Sequence, residues 1–216
     1  MLKTYNNNVV RNDTIKQYIS FDVEASGPIP ATYSMLSLGA CVVGDIDEQF
    51  YREIKPLNIN FQDIALKIGC LELDLLKGRG DEFNARSSLF NPRKTLELLM
   101  DEATDPTLAM QEYRDWISGV KVPNRIQIEA AAPIGFDRQF TNWYFHIFLN
   151  ENPFGNKSED MNSFYRGISR NPNAHLKDIQ VDFSNPREHH ALSDAIYQAK
   201  LFEEALSVMK RVSSNV

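Results

Sequence analysis

The chain has 216 residues, 43% of them hydrophobic and 24% charged, which is enough for one sizeable core. No apolar run approaches the roughly 18 residues of a membrane span, and the polar first 13 residues lack the apolar centre of a secretory signal. The formal net charge of -6 argues against a nonspecific grip on phosphates through Lys and Arg, although acidic residues that hold metal cations would contribute to the same negative total.

Three short apolar stretches open the chain, and turn-rich segments separate them. Their lengths and boundaries predict three sequential strands of a meander, at Tyr18 to Val23, Met35 to Val43 and Gln49 to Ile54. Gly27 and Pro28 end the first of them.

The next part of the chain is less regular. It predicts a short helix around Asp63 to Leu76, a surface excursion at Lys77 to Pro92, and a helix from about Arg93 to Glu102. Asp105-Pro106 predicts a further helix start, with Asp as N-cap and Pro at the first helical position, and Gly119 ends that helix. Its predicted apolar side consists of Leu108, Tyr113, Trp116 and Ile117.

The second half predicts a fourth strand at Arg125 to Ala132, a helix near Met161 to Ser169, and a last helix that begins at His189 or His190. Between the first two, helical spacing predicts a buried aromatic face of Phe136, Phe140, Trp143, Tyr144, Ile147 and Phe148. The last helix carries an apolar stripe of Leu192, Ile196, Ala199, Phe202, Leu206 and Met209. Strands, a helix, another strand and then helices indicate a mixed α/β plan.

Two acidic residues, Asp22 and Glu24, stand at the end of the first predicted strand. Because residues i and i+2 of a strand point to the same side, the two carboxylates project together, while Phe21 and Val23 face the other layer. Adjacent carboxylates repel each other, and a hard divalent cation is the usual compensation. Taken alone, the pair is more simply interpreted as two solvated acids.

Two further acidic positions follow along the chain. Asp137 lies in the first turn of the aromatic helix, about 100° from its apolar stripe, where an aspartate that interacts with the helix dipole is the plainer interpretation. Asp194 lies on the polar side of the last helix. His189, five residues earlier, can take a proton from water near neutral pH, although two exposed histidines at a helix start are the ordinary alternative.

The combination is far more specific than any of its members, because the acid pair, the junction aspartate and His-x-Ala-x-x-Asp occur in a characteristic order. The sequence resembles the DEDDh family of 3′–5′ exonucleases over about residues 17 to 209. The segments similar to its three motifs are Phe21-Asp22-Val23-Glu24-Ala25-Ser26-Gly27, Phe136-Asp137 and His189-His190-Ala191-Leu192-Ser193-Asp194.

The resemblance implies a ribonuclease-H-like α/β fold with a mixed five-stranded sheet flanked by helices. We expect one exonuclease domain over residues 1–216, with its core at about 17–210 and a polar extension at 1–16. Pattern alone does not place the fifth strand, for which Ala174 to Val181 is the candidate.

The resemblance also implies a chemistry. Two Mg²⁺ or Mn²⁺ ions would be held by Asp22, Glu24, Asp137 and Asp194. His189, the residue five before Asp194, would be the general base of a two-metal hydrolysis. The expected reaction is removal of nucleoside 5′-monophosphates from the 3′ end of DNA or RNA, with single strands favoured.

Family members hold the terminal nucleotide with main-chain groups and small side chains just after the first motif, at positions that Ala25, Ser26 and Gly27 occupy here. Phe136 can stack on a base, with core packing as the alternative. Candidate phosphate-binding cations are Arg138, Arg166, Arg170 and Arg187, most of which are expected to be plain surface charges.

The sequence departs from the commonest family pattern at two places. Ala25-Ser26 stands where many members have Thr-Thr, and Ala132 to Gly135 stands where His-Asn often precedes the second aspartate. These changes bear on substrate preference more than on catalysis.

Two rival interpretations are a non-catalytic module that binds a nucleic-acid end or a partner in the same cleft, and a phosphohydrolase acting on small nucleotides. Two thiols without metal-type spacing, Cys41 and Cys70, indicate a cytoplasmic protein. No membrane partner is expected, and a homodimer is left open because some relatives form one.

Overall fold

A five-stranded mixed sheet forms the centre of the computed structural model, which describes residues 15–213. The strands are β1 (Lys16–Ala25), β2 (Met35–Val42), β3 (Asp45–Glu53), β4 (Ile126–Ala131) and β5 (Ser158–Asp160). Their order is β3-β2-β1-β4-β5. The meander β1 to β3 is antiparallel, whereas β4 runs parallel to β1 and β5 parallel to β4. The expected α/β fold with a mixed five-stranded sheet is therefore confirmed, whereas most of the polar extension 1–16 lies outside the described residues.

Six α-helices and three short 3-10 turns surround the sheet within residues 15–213. The helices are α1 (Asp63–Gly69), α2 (Pro92–Glu102), α3 (Pro106–Gly119), α4 (Ile134–Leu149), α5 (Met161–Ser169) and α6 (Ala191–Ser213), and the turns are Asp74–Leu76, Asp81–Phe83 and Leu176–Asp178. In this part of the chain, none of the helices combines the length and the apolarity needed to traverse a bilayer.

The predicted start of α3 is confirmed, because the Asp105 side chain accepts hydrogen bonds from the backbone N–H groups of Thr107 and Leu108. The helix predicted over Asp63 to Leu76 is shorter, since α1 ends at Gly69 and a separate 3-10 turn follows at Asp74–Leu76. Side chains of the predicted surface excursion also turn inward. Ala85 and Phe90 are about nine-tenths buried in an apolar cluster with α1 and α2.

The fifth strand is Ser158–Asp160, and the prediction of a strand at Ala174 to Val181 is wrong. That segment instead contains a 3-10 turn whose Leu176 is buried beside α5 and α6. Three polar residues carry no alternating apolar pattern, so β5 is defined only by its pairing with Glu129 to Ala131 of β4. Asp160 then caps α5 by accepting a hydrogen bond from the Ser163 backbone.

The buried faces of the helices differ from the predicted ones. In α4, Phe136 and Ile147 are 38% and 59% exposed, and the buried face begins one residue later. Its members are Asp137, Phe140, Thr141, Tyr144 and Phe145. Thr141 faces the sheet because its hydroxyl donates to the buried Glu129 of β4 at 2.9 Å. In α3, Leu108 is 48% exposed, and Ala109 and Met110 are buried instead.

The two faces of β1 carry different layers, as predicted. Ile19, Phe21 and Val23 belong to the apolar core formed with α3 and α4. Ser20 faces α6, because its hydroxyl donates to the Ala195 carbonyl at 2.8 Å. Asp22 and Glu24 share that face of the strand, since side chains alternate.

The start of α6 lies directly on β2. A Cβ added at Gly39 would be 2.2 Å from the Leu192 backbone nitrogen, so only glycine permits this approach. Ala191, Ala195 and Ala199 are fully buried, and such small side chains let the helix axis come close to the sheet. Since Gly39 is the register partner of Asp22, the first turn of α6 is brought beside the acid pair.

Candidate active site

Glu24 and Asp22 lie at the carboxyl end of the central strand, next to Ser37 and Gly39 of β2. Glu24 is 7% exposed, and Asp22 is partly exposed in a cleft. The Asp22 carboxylate accepts a hydrogen bond of 3.0 Å from the Gln198 side chain of α6. The predicted pairing of the two acids on one face of a strand is confirmed.

Asp137 is held against β1 by a main-chain contact. Because β4 runs parallel to β1, the helix that follows β4 begins at the same edge of the sheet as the acid pair. The Asp137 side chain is 4% exposed, and its Oδ1 accepts a hydrogen bond of 3.1 Å from the Val23 backbone. This residue is therefore part of the acidic group and not a solvated helix-start aspartate.

Asp194 and His189 complete the group from the start of α6. Asp194 Oδ2 accepts the His189 backbone N–H at 2.9 Å, and Oδ1 accepts from the Asn185 side chain. A ring nitrogen of His189 and one carboxylate oxygen each of Glu24 and Asp194 all lie within 4.8 Å of one another. The five predicted residues thus converge from three elements on one site.

The two neighbouring histidines face different surroundings. His190 is 5% exposed, its ring packs on Tyr51 with centroids 4.4 Å apart, and its Nδ1 accepts the Ser193 backbone N–H at the start of α6. Burial, followed by the nearby Arg187, lowers the pKa of His190 to about 4. His190 is therefore a buried neutral cap of the helix, and it is His189 that faces the carboxylates.

The electrostatics of the site reflect unbalanced negative charge. Burial raises the pKa of Asp22, and the charges of Asp137, Glu24 and Asp194 raise it further. Glu24 shows the same pattern, with burial first and then Asp194 and Asp137. Burial also raises the pKa of Asp194, and that of Asp137 to about 7. Carboxylates that raise one another's pKa in this way favour a bound cation as compensation.

Two of the acids, Asp22 and Asp194, line a cleft of about 860 Å³. His189 lines it with them, and the cleft continues between α6 and the segment 175–185. Its lining mixes carboxylates, amides, aromatic rings, the His175 imidazole and the Lys177 ammonium group. The lining residues beyond the acid group include Asn162, His175, Lys177, Phe183, Asn185, Tyr197, Gln198 and Leu201.

The predicted substrate-binding positions fall into two groups. Ser26 is fully buried, and its hydroxyl donates to the Asn60 carbonyl and accepts from the Ser34 backbone, so it fixes the loop after β1. Gly27 lies under the Tyr33 ring, where an added Cβ would be 2.3 Å from Cγ. Ala25 is 5% exposed beside it. Phe136 is 38% exposed next to Asp137, and its ring also packs on the buried Phe140 with centroids 5.4 Å apart, so it combines an exposed face with a core contact.

Three of the four arginines considered as phosphate ligands have internal partners. Arg138 lies 3.2 Å from the buried Glu129 and donates to the Gly155 carbonyl. Arg166 donates to the Ala174 carbonyl, and Arg187 binds the segment 72–74. Arg170 is exposed at the end of α5.

Sequence reasoning missed two residues that hold the acids. Gln198 stands one helical turn after Asp194, and it joins Asp22 to β4 by accepting the Ala132 backbone N–H at 2.7 Å. Helical i, i+4 spacing from Asp194 was the signal that could have found it. Asn185, which orients Asp194, lies in a loop and has no such signal.

The donor set fits hard divalent cations. Its oxygen atoms come from Asp22 and Asp194, which line the cleft, and from the more deeply buried Glu24 and Asp137 beside them. Among residues 15–211, no Lys or Arg forms an ion pair with any of the four carboxylates. Carboxylate oxygens are the ligands that Mg²⁺ and Mn²⁺ prefer.

Solved structures share this fold. The chain is similar to the nuclease domain of 3′hExo, a DEDDh family member bound to rAMP, with a TM-score of 0.65 at 13% identity over 90% of this chain and 94% of that one. It is also similar to the Escherichia coli ExoI–ssDNA complex, with a TM-score of 0.62 at 12% identity over 93% of this chain and 42% of that one. The chain therefore has the ribonuclease-H-like fold.

No protein-family model matches the chain. One curated protein, in contrast, is similar to nearly the whole chain. The chain is 33% identical to the 3′-5′ DNA exonuclease Cap18 of Escherichia coli over 201 residues, which cover 90% of this chain and 95% of the relative. The chain therefore belongs to the DEDDh family of 3′–5′ exonucleases, which use divalent metal ions, and it is an enzyme of that class.

Proposed function

We propose that this protein removes nucleotides one at a time from the 3′ end of single-stranded DNA by a two-metal hydrolysis with His189 as general base. The observation that carries the proposal is the convergence of four carboxylates and one histidine, three of which line an open cleft. The curated relative named as a DNA exonuclease and the ExoI structures with bound oligonucleotides support DNA as the substrate.

Each side chain has a task that its contacts support. Asp22, Glu24, Asp137 and Asp194 would hold the two ions, for which Mg²⁺ and Mn²⁺ are the candidates. When bound, the ions lower the pKa of the attacking water and neutralise charge on the phosphate and on the leaving 3′-oxygen. His189 takes the proton that this water loses, from a position beside Glu24 and Asp194.

The bond that breaks joins phosphorus to the 3′-oxygen of the penultimate nucleotide. Water supplies the new oxygen on phosphorus, so the product is a nucleoside 5′-monophosphate and the shortened strand keeps a free 3′-hydroxyl. Asp194 accepts the His189 main-chain N–H and thereby fixes the histidine relative to the ion ligands. Phe136, exposed beside Asp137, would stack on a terminal base.

The shape of the cleft supports a single strand. Beyond the acid end, the cleft offers Lys177 for the backbone and the rings of Phe183 and Tyr197 for unpaired bases. Bases in a duplex are already stacked on one another and are not free for such contacts.

The proposal is tested with purified protein, Mn²⁺ or Mg²⁺, and 5′-labelled single-stranded DNA, alongside a duplex and an RNA of the same sequence. We expect a ladder of products shortened from the 3′ end and release of 5′-monophosphates, with single-stranded DNA degraded fastest. His189→Ala should remove most of the activity. A preference for RNA would overturn the substrate assignment, and an undiminished His189→Ala rate would overturn the role of the base.

The same assay separates the two rival interpretations. A module that only binds nucleic-acid ends would retain the labelled oligonucleotide on a filter without shortening it. A phosphohydrolase of small nucleotides would hydrolyse free nucleotides or a dinucleotide and leave the long strand intact.

A further inference from the structure

The Arg187 side chain ties the loop that carries His189 to a distant part of the chain, where the His190 ring also lies 3.8 Å from Asp74. Its guanidinium donates to the Glu72 carbonyl at 2.6 Å and to Asp74 Oδ1 at 2.8 Å, and its Nε lies 3.4 Å from Glu72 Oε2. Arg187 thus joins the approach to α6 with the segment 72–74, which follows α1.

The segment 72–74 is itself firmly held. Buried Glu53 of β3 accepts the backbone N–H groups of Asp74 and Leu75, so the segment is attached to the edge of the sheet. Glu72 also accepts a hydrogen bond of 2.8 Å from Arg86 of the excursion. Burial alone would raise the pKa of Glu72, but hydrogen bonds from Arg86 and Arg187 outweigh it and lower the pKa.

The backbone at His189 needs external support. Its φ is +68°, in the left-handed region that L-residues with a side chain rarely adopt. Such a conformation persists where surrounding contacts determine it. The contacts here are the Asp194 carboxylate on the His189 N–H and the Arg187 attachment two residues before it.

The charge of Arg187 is already matched. Two carboxylates and one carbonyl occupy its donors, and its side chain is 29% exposed. A cation engaged in this way is a weak candidate for a substrate phosphate, which would have to displace those partners.

We propose that Arg187 is a positioning residue, and that its attachment to Glu72 and Asp74 holds His189 in its reactive place. This inference rests on the proposed role of His189 as general base. It also gives the segment between α1 and α2 a function, because that segment supplies the anchor for the histidine loop.

The test compares two ways of removing the same attachment. Arg187→Met deletes the cation, and the double variant Glu72→Gln plus Asp74→Asn deletes its charged partners. We expect kcat on single-stranded DNA to fall by about 10-fold to 100-fold in each, with little change in KM. Combining all three substitutions should cost less than the product of the two separate losses, because the Arg187 attachment is removed in each, while the partner variant also loses the contacts of Glu72 with Arg86 and of Asp74 with Lys77.

Two controls accompany these variants. Arg114→Met removes an exposed arginine on α3 that also pairs with two carboxylates, and it should leave kcat unchanged. Arg187→Lys keeps a charge that can reach the same carboxylates, and it should recover part of the lost rate. Thermal unfolding shows whether each variant is folded. If Arg187→Met fails to fold, the partner variant decides the question.

The outcomes separate this inference from the proposed function. A KM that rises while kcat is kept in Arg187→Met, with the partner variant unaffected, would identify a phosphate contact and overturn the inference. Loss of activity in His189→Ala together with full activity in both attachment variants would overturn the inference and leave the base in place. Full activity in His189→Ala would remove the base, and the inference with it.

Discussion

Substitution of Gly39 by alanine should damage the active site, because Gly39 lies under the first turn of α6 on the same face of the sheet as Asp22. The added Cβ would lie 2.2 Å from the Leu192 nitrogen and 2.4 Å from the Ala191 carbonyl carbon, and both are backbone atoms that no rotamer change can move. Ordinary contact begins near 3.5 Å, so the first turn of α6 has to move by about 1 Å. That turn carries Asp194 and follows His189.

Gly39→Ala should lower both the unfolding temperature and kcat. Crowding of this kind typically destabilises a fold by about 1–3 kcal/mol, which lowers the unfolding temperature of a protein of this size by several degrees. A displacement of about 1 Å in a catalytic group costs up to about 100-fold in rate. We expect Gly39→Ala to remain folded and to lose most of its kcat on labelled single-stranded DNA.

Gly167→Ala is the matched control. Gly167 lies in α5, its backbone has no positive φ, and nothing lies within 4 Å of an added Cβ. Alanine there should leave activity unchanged and stabilise the helix by up to about 1 kcal/mol. If Gly39→Ala has normal activity and an unchanged unfolding temperature, the close approach of α6 to β2 does not position the site, and the reasoning fails.

Three further predictions concern the site itself. Asp22→Asn should abolish turnover, as should an excess of chelator, and a chelator-resistant rate would contradict metal dependence. In metal-free protein, the folded pKa of Asp137 is raised to about 7, so its contribution to stability is present below the ordinary carboxyl pKa of about 4 and is lost as pH rises through about 7. The unfolding temperature should therefore fall between about pH 4 and pH 7, and by less in Asp137→Asn. Added Mn²⁺ should restore it most above pH 7, and equal curves for the two proteins would refute this. Phe136→Ala should raise KM by about tenfold through lost stacking, and it should lower the unfolding temperature modestly because the contact with Phe140 is also lost; an unchanged KM would argue against a contact with the base.

Short stretches of sequence predicted those features of the fold that depend only on neighbouring residues. The spacing of Asp22 and Glu24 implies a shared face because strand side chains alternate with a fixed period. Asp105-Pro106 marks a helix start whose chemistry needs no tertiary partner. The acid site was predictable because its members are chemically distinctive and occur in a known order.

The rest depends on distant contacts that leave no local trace. β5 is three polar residues, and only its pairing with β4 makes it a strand. The buried face of α4 was displaced by one residue, because Asp137 is drawn inward by the Val23 backbone against its own polarity. The sequence around Gly39 does not indicate its close contact with α6. The residues around Arg187 likewise do not predict its contact with the segment 72–74.

The first and last acids of the site are contributed by opposite ends of the described chain, with His189 directly before the final helix. During synthesis, β1 to β4 leave the ribosome before α6 does. Until α6 has emerged, the central strands lack both Asp194 and His189. The acid site is therefore completed in a single late step, when α6 packs on β2. A nascent chain that still lacks this helix therefore has only part of the acid group, and it is without the catalytic constellation while most of the domain is being made.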